Sequence, residues 1–373
     1  MSVKVCEYPS AKNPAKYNDL SKQFVMDSTF GASCSIITYG ALISNLMIPD
    51  KDGNIADVML GLKDLDSYLV DNSNHGSVVG RSANRIENAR FEIDGKLYTI
   101  PANDGKNNLH GGDNSYQKVF WSGDVISEAD VNALIKESGM EGFDSEADGD
   151  GVILNHVSPD GADGFPGNID TTVVYAWLKN QTLLIMYKAS TDKPTIFAPT
   201  NHAYFNLGGH DAGDVGENIL TIDAEQVTLK GANNCPDGTA MFVKGTIFDF
   251  RSGAPVSQAL NLMHPQTAGS RGIDQNFCVD KDEGKYTKIA SLQDSRSSRV
   301  MEVFTDMPGI QIYAGNHLGG NLQKGDIPYK PYGGICLEAQ MYPNAINVDA
   351  FTSPVIRPGE VKYHACGYRF INN

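Results

Sequence analysis

The sequence predicts an all-β protein, an antiparallel sandwich or barrel with few short helices. Short segments rich in Val, Ile, Thr and Tyr recur along the chain, each bounded by Gly, Pro, Asn or Asp. Glycine is frequent, with 38 in 373 residues, whereas helical periodicity is scarce. Many short strands at this spacing are typical of sandwiches and barrels. Because strands do not alternate with helices, a doubly wound sheet is disfavoured.

The predicted strands run along most of the chain. Turn residues at 49–53 follow the first two strands. Asp94-Gly95 separates two others and predicts a two-residue hairpin turn, and residues 178–182 join a second hairpin. In chain order, the predicted strands are 35–39, 41–48, 91–93, 96–100, 171–177, 183–189, 219–229, 277–280, 299–305, 310–314 and 362–370.

Helix is a minor component. Residues 63–70 are predicted to form one or two turns, and 127–138 are the better candidate because Ser127 is a good N-cap with Asp130 three residues on. The Gly- and acid-rich run at 139–151 has no hydrophobic pattern, and we interpret it as a solvated, mobile loop without chemistry. With no strong repeat and no linker, residues 1–373 are predicted to form a single domain.

The composition narrows the classes of protein. Hydrophobic residues at 41% and charged residues at 20% are typical of a soluble globular chain. The net charge of −15 argues against a nucleic-acid partner or an anionic membrane. The first residues have no apolar signal-peptide core, and no run approaches the roughly 18 apolar residues of a membrane span. We therefore expect a cytoplasmic protein.

The six cysteines are widely scattered, without a CxxC pair or a histidine at metal-ligand spacing. Reduced thiols and no metal are the simplest interpretation, with three disulfides as the open alternative.

One stretch, TNHAYFNLGG at 200–209, has the turn residues of a short strand leading into a loop. It places His202 between Asn201 and the aromatic pair Tyr204 and Phe205. An imidazole exchanges protons near neutral pH, and two neighbouring rings suit a flat apolar surface such as a sugar face. A hydrogen-bonded structural histidine is the commoner alternative.

Two further blocks precede this stretch. GRSANRI carries Arg81 and Arg85, whose guanidinium forks suit pairs of oxygen atoms, although a salt bridge to a surface carboxylate is the simpler explanation. NNLHGG carries His110 at the entrance to a glycine pair, where a turn histidine is the alternative.

Two blocks follow it. In GIDQNF, Asp274 precedes an apolar strand and could be only a turn-former. In GICLEAQ, strand alternation places Glu338 on one face with Cys336 and Gln340. Such a half-buried carboxylate would have a raised pKa and act as a base, unless a neighbouring arginine satisfies it.

Taken together and in this order, the blocks resemble the aldose 1-epimerases, also called galactose mutarotases. The resemblance covers the chain from about Gly31 to Phe370. Its seven blocks are GRSANRI, NNLHGG, SPDGADGFPGN, TNHAYFNLGG, GIDQNF, PGIQIYAGN and GICLEAQ.

The resemblance implies a single large antiparallel β-sandwich, the galactose mutarotase-like supersandwich, with the sugar in an open cleft on one sheet. It implies interconversion of the α and β anomers of free hexoses such as galactose and glucose, with no metal and no cofactor. A small hexose would be the partner, with no nucleic acid and no membrane, and the chain would be a monomer or weak homodimer.

Roles for particular residues follow from the matched blocks. Glu338 matches the general base and His202 the general acid, and a nearby negative charge is expected to raise the pKa of His202. Arg81 keeps only a structural role. The residues that match hydrogen-bonding partners of the sugar are His110, Arg85, Asp274, Gln311 and, as an assisting residue, Asn84.

Three other functions stay open beside this one. They are a hexose-6-phosphate 1-epimerase, a glycosidase using Glu338 with Asp274, and a non-catalytic sugar-binding protein on the same fold. The acidic segment 127–151 is longer than the family usually has and would overhang the cleft or alter oligomerisation. The sequence does not decide between galactose and glucose.

Overall fold

A computed structural model describes residues 2–231, 233–320 and 322–372, and most of their regular structure is β-strand. The four α-helices in these ranges are Pro14–Tyr17, Leu65–Tyr68, Glu128–Glu137 and Pro265–Ala268. The 3₁₀ turns are Glu87–Ala89, Tyr116–Lys118, Ala162–Gly164, Val256–Ala259 and Ala345–Asn347. All four α-helices are too short or too polar to cross a bilayer.

The largest sheet has nine antiparallel strands and begins with a meander of four. The long C-terminal strand then lies at its centre, paired with Thr182–Thr191 on one side and Arg299–Thr305 on the other. In spatial order its strands are Ser122–Ile126, Gly151–Ser158, Ile169–Trp177, Thr182–Thr191, Val361–Asn372, Arg299–Thr305, Thr287–Gln293, Ile219–Ile222 and Ala254–Pro255.

A second sheet of seven strands carries most of the sequence blocks with candidate chemistry. In spatial order its strands are Pro236–Phe242, Gln226–Lys230, Asp274–Cys278, Gly309–Tyr313, Ile335–Gln340, Tyr204–Phe205 and Met59–Leu60.

The N-terminal region forms a five-stranded antiparallel sheet of Val3–Glu7, Lys22–Asp27, Ser33–Ile37, Leu42–Pro49 and Ile55–Asp57. Short two-stranded ribbons complete the fold. They pair Arg90–Ile93 with Lys96–Thr99, Arg85–Ile86 with Asn108–Leu109, Val78–Val79 with Thr200–Asn201, Thr195–Ile196 with Val355–Ile356, and Gln323–Lys324 with Ile327–Pro328.

The main core lies between the sheets, because alternate residues of each strand point inward and are apolar. Val173 and Ile185 of the nine-stranded sheet belong to one buried cluster with Ile312 and Leu337 of the seven-stranded sheet. The Tyr368 hydroxyl donates to the backbone oxygen of Leu337 at 3.2 Å, which ties the two sheets together. This packing fixes the backbone of Ile335–Gln340 and aims the opposite face of that strand away from the core.

The predicted all-β class is confirmed, and so are both hairpins. Asp94 and Gly95 have φ values of 53° and 77°, as a tight turn with two left-handed residues requires. The single strand expected at 219–229 is wrong. The chain forms Ile219–Ile222 in the nine-stranded sheet and then passes to Gln226–Lys230 in the seven-stranded sheet.

The helix Glu128–Glu137 is present, and Ser127 and Asp130 form a reciprocal capping box at its start. The loop expected at 139–151 is present, since no helix or strand forms between Glu137 and Gly151, but the loop is packed on the protein rather than fully solvated. Phe143 stacks on Tyr286 with ring centroids 4.2 Å apart, and Ala147 is fully buried. Helix and loop together cover the outer face of the nine-stranded sheet.

Candidate active site

The outer face of the seven-stranded sheet carries a cleft of about 410 Å³. All seven residues singled out in the sequence line it, namely Asn84, Arg85, His110, His202, Asp274, Gln311 and Glu338. None of the described residues that line the cleft comes from the acidic segment 127–151, so of the two alternatives for this segment the overhang of the cleft is contradicted, and a role in oligomerisation stays a prediction.

Three adjacent strands place three of these side chains. In the antiparallel register, Gln311 lies directly opposite Glu338, and Asp274 lies opposite Tyr313. Alternation puts these residues on the cleft face, while Leu337 points into the core. The Gln311 Nε2 donates to Asp274 Oδ1 at 2.6 Å. Asp274 is the first residue of its strand rather than part of the preceding turn, so the strand begins earlier than predicted.

His202 is held by its backbone between two short strands. Its N–H donates to the Ser77 oxygen at 2.9 Å, and its own oxygen accepts from Gly76 at 3.0 Å. The imidazole Nε2 lies 3.7 Å from Glu338 Oε1. The other ring nitrogen, Nδ1, lies 3.6 Å from the Cys336 Sγ. A carboxylate and an imidazole therefore meet in the wall of the cleft.

His110 and Asn84 form an interlocked pair of residues with positive φ. The His110 N–H donates to the Asn84 oxygen at 3.0 Å, and the Asn84 N–H donates to His110 Nδ1 at 3.2 Å. Since Nδ1 accepts, the proton of the neutral ring is on Nε2. The ring stands edge-on to His202, with centroids 5.4 Å apart. His110 is therefore a turn residue, as the alternative expects, and its ring also lines the cleft.

Arg85 lies between two aspartates at the far side of the cleft. Its Nε donates to Asp104 Oδ2 at 2.7 Å, and its Nη1 lies 4.0 Å from Asp274 Oδ2. Burial opposes the charge, but Asp274 and Asp104 outweigh this effect and raise the pKa of Arg85. The guanidinium is therefore permanently charged and oriented, with donors to spare for a ligand's hydroxyl groups.

Burial dominates the titration of the Glu338 carboxyl and the His202 imidazole. Glu338 is 2% exposed rather than half-buried, and burial, followed by the charge of Asp274, raises the pKa of its carboxyl well above the ordinary value. Among the described residues no arginine pairs with it, and its ionisable partner is His202.

The expected rise in the His202 pKa is wrong, because desolvation of the imidazolium lowers that pKa to about 4. Burial likewise lowers the pKa of His110 well below its usual range, with further contributions from His202 and Arg85.

Arg81 is structural, as predicted, although its partners are not carboxylates. Its guanidinium donates to the backbone oxygens of Ser158, Pro159 and Pro166 at 2.8–2.9 Å. These partners explain the SPDGADGFPGN block, which folds around this side chain. Tyr204 lines the cleft as expected of an aromatic platform, whereas Phe205 turns inward and packs on Tyr368.

A buried layer behind Tyr204 was missed by the sequence reasoning. His75 is fully buried, its Nδ1 lies 3.1 Å from Asp71 Oδ2, and its ring lies 4.8 Å from that of Tyr204. Burial opposes ionisation of Asp71, but hydrogen bonds from His75 and the attraction of its imidazole outweigh it and lower the pKa of Asp71 to about 2. The four-residue spacing of an acid and a histidine was the available signal.

Other polar residues of the rim were also missed, namely Asn72, Ser73, Asn74, Asn234, Ser270 and His317. Loops carry them into the cleft, and loop residues have no periodicity that would mark them. The Tyr204 hydroxyl donates to the Ser73 oxygen at 3.0 Å and so fixes part of this rim. Within the described residues, the His202, Cys336 and Glu338 side chains are also close enough to serve as metal ligands.

The fold and this cleft define a β-sandwich protein with a buried carboxylate–imidazole pair in a polar, sugar-sized cavity. The family model for aldose 1-epimerase matches residues 22–369. The chain belongs to the aldose 1-epimerase family.

Individual relatives are similar to this chain in sequence, and one solved structure is similar to it in fold. The galactose mutarotase of Rattus norvegicus is 35% identical over 336 residues, which is 90% of each chain. The aldose 1-epimerase of Escherichia coli K12 is 31% identical over 345 residues, which covers 91% of this chain and 92% of the relative. The crystal structure of an aldose epimerase homologue from C. elegans superimposes with a TM-score of 0.80 at 27% identity, covering 94% of this chain and 99% of that one.

Proposed function

We propose that the chain is an aldose 1-epimerase that interconverts the α and β anomers of free hexoses, with galactose and glucose as substrates. The observation that carries the proposal is the Glu338–His202 pair, 3.7 Å apart in the wall of the cleft. Mutarotation needs one proton removed from the C1 hydroxyl and one delivered to the ring oxygen. A base and an acid that face the same small cavity meet that need.

Glu338 and His202 together account for both proton transfers. Ionised Glu338 takes the C1 hydroxyl proton while protonated His202 gives one to the ring oxygen, and the C1–O5 bond breaks. The products are an open-chain aldehyde, a neutral carboxylic acid and a neutral imidazole. Rotation about C1–C2 and the reverse transfers close the ring as the other anomer, which restores both groups.

The burial of the pair helps this cycle. Desolvation disfavours both charged groups, which raises the pKa of Glu338 and lowers that of His202. Burial therefore stabilises the neutral pair formed on ring opening relative to the ionic pair that starts the reaction. The attraction of the two charges across 3.7 Å acts in the opposite direction and assists the reverse transfers.

Other residues would position the sugar. Arg85, Asp274 and Gln311 form a linked set of donors and acceptors for hydroxyl groups remote from C1. His110, which carries its proton on Nε2, would donate a neutral hydrogen bond near the reacting centre. Asn84 would act through His110, because its backbone N–H orients that ring.

The two alternatives within the fold are less well supported. A hexose 6-phosphate needs a cluster of cationic groups, and Arg85 is the only arginine or lysine among the described residues that line the cleft. Asp104 and Asp274 already surround it. A non-catalytic sugar-binding protein would have no need for a buried acid–base pair, whose desolvation is costly.

Polarimetry on freshly dissolved α-D-galactose tests the proposal. Wild-type protein should accelerate the approach to equilibrium over the buffer blank, and Glu338→Gln should lower kcat by about 10²–10⁴-fold while the sugar still binds. Glu92→Gln, an exposed carboxylate on the first hairpin, is the matched control and should keep full activity. Full catalysis by Glu338→Gln would refute the assigned base.

A further inference from the structure

The proposed mechanism leaves one buried nucleophilic group unused, the thiol of Cys336. It lies two residues before Glu338 on the same face of the strand Ile335–Gln340 and is fully buried. Its Sγ is 3.6 Å from His202 Nδ1. The six cysteines of the chain are free thiols, and among them Cys336 has this contact with a histidine.

A second observation concerns the carboxylate beside it. The Oε2 of Glu338 is buried and has no hydrogen-bond partner among the described residues. One ligand atom each from His202, Cys336 and Glu338 lie within 4.8 Å of one another. In a tetrahedral zinc site, bond lengths of about 2.0–2.3 Å place the ligand atoms roughly 3.3–3.6 Å apart. Shortening the separations of up to 4.8 Å by roughly 1.2–1.5 Å would therefore turn this cluster into three zinc ligands.

We propose that His202, Cys336 and Glu338 form an inhibitory site for a thiophilic divalent cation such as Zn²⁺, with its fourth position open to the cleft. The thiol would lose its proton to solvent on binding. Thiolate, carboxylate and neutral imidazole then carry two negative charges, which cancel the charge of the cation. A buried ion needs such cancellation.

The donor set gives the site its selectivity. Sulfur and imidazole nitrogen suit Zn²⁺, whereas Mg²⁺ requires an octahedron of oxygen atoms. His202 and Glu338 line the cleft, which provides the path by which the cation enters. The inhibitory part of the inference rests on the proposed function, because the cation would occupy the two groups that move protons. The binding part rests on geometry alone.

Cobalt provides a readout that is independent of activity, because Co²⁺ bound by a thiolate has an intense near-ultraviolet charge-transfer band. Reduced, EDTA-stripped protein titrated with Co²⁺ should develop this band with saturation at one ion per chain. Zn²⁺ should abolish the band, excess galactose should weaken it, and Mg²⁺ should leave it unchanged. The matched variants are Cys336→Ser, which should lose the band, and Cys278→Ser in the same sheet but separated by the strand Gly309–Tyr313, which should keep it.

A wild-type protein without a saturable band, or a band of full strength in Cys336→Ser, would overturn the site. If Cys336→Ser is unfolded by circular dichroism, Glu338→Gln takes its place. That variant should bind Co²⁺ at least about tenfold more weakly, and equal affinity would exclude Glu338 as a ligand.

Mutarotation assayed in EDTA separates the two proposals. An active enzyme that gives no cobalt band contradicts only the metal site. A cobalt band on an inactive protein supports the metal site and contradicts the proposed function.

Discussion

At the scale of single residues, the proposed chemistry depends on how a carboxyl group and an imidazole are buried together. Each is almost inaccessible to water, and each is displaced by burial toward its neutral form. A solvated His202 beside a solvated glutamate would be held in the ionic form, and ring opening would have to discharge both groups against hydration. In the dry wall of the cleft, that cost is reduced before the sugar arrives.

A pH profile tests this electrostatic picture. Because the pair is active when it holds one proton, kcat/KM should be bell-shaped, with apparent pKa values that belong to the pair. The acid limb should lie near pH 4, where the pair takes up a second proton at His202 in the folded chain, rather than near the ordinary histidine pKa of about 6.5. Initial rates of mutarotation between about pH 3.5 and 9, corrected for the blank, measure the profile.

Unfolding at low pH could also lower the rate, so the stability of the protein must be measured over the same pH range. The unfolded chain binds a proton at His202 below about pH 6.5, whereas the folded chain does so only near pH 4, so this residue costs stability as the pH falls between those values. Circular dichroism at each pH separates unfolding from titration. An acid limb at about pH 6.5 in a fully folded enzyme would contradict a lowered His202 pKa.

The sequence located these residues but not their environment. The seven blocks were sufficient to bring Asn84, Arg85, His110 and four others to one cleft. Nothing in the blocks showed that Glu338 is fully buried or that Cys336 contacts His202, because both depend on packing between strands that are distant in sequence. The expected rise in the His202 pKa is wrong for the same reason. A negative neighbour would raise this pKa, but burial between strands, which the sequence does not show, lowers it.

At the scale of elements, features that depend on adjacent residues were predicted correctly, whereas features that depend on distant parts of the chain were not. The Asp94-Gly95 turn and the Ser127 cap depend on a few adjacent residues, and both are present. The strand predicted at 219–229 failed because its apolar pattern continues across Asp223 and Glu225, where the chain changes sheets. The full solvation predicted for 139–151 is wrong because two apolar residues, Phe143 and Ala147, pack against the protein and hold an otherwise polar loop.

The capped helix Glu128–Glu137 offers an element-scale prediction. Ser127→Ala removes the side-chain half of the capping box and should lower the free energy of unfolding by about 1 kcal/mol. Activity should not change, because the helix packs on the nine-stranded sheet and contributes no described residue to the cleft. Thermal unfolding and polarimetry on the same samples measure both quantities.

Ser252→Ala, at an exposed serine outside any helix, is the matched control and should change neither quantity. A loss of activity in Ser127→Ala at unchanged stability would contradict the separation of the acidic segment from the cleft.

At the scale of the whole molecule, the sandwich gathers into one cleft residues that are as far apart as Asn84 and Glu338 in the chain. The large sheet and its core support the backbone of Ile335–Gln340, and segments from earlier in the chain supply Arg85, His110 and His202. The whole molecule also has a net charge of −15, and this charge acts on a substrate at longer range than the contacts in the cleft. An anionic substrate is therefore expected to be affected by it more than a neutral one.

A neutral hexose is neither attracted nor repelled by this field, so kcat/KM for galactose should stay within about twofold from low salt to about 0.5 M NaCl. A sugar phosphate is a dianion, and a protein with a net charge of −15 repels it at low salt, where the Debye length is about 30 Å at 0.01 M. Galactose 6-phosphate should therefore be the poorer substrate, and salt should raise its kcat/KM. Polarimetry with both sugars across the salt series measures the difference. If galactose 6-phosphate had the higher kcat/KM at low salt and added NaCl lowered it, a local cationic site would outweigh the net charge. That result would contradict a free hexose as the substrate and support a hexose 6-phosphate.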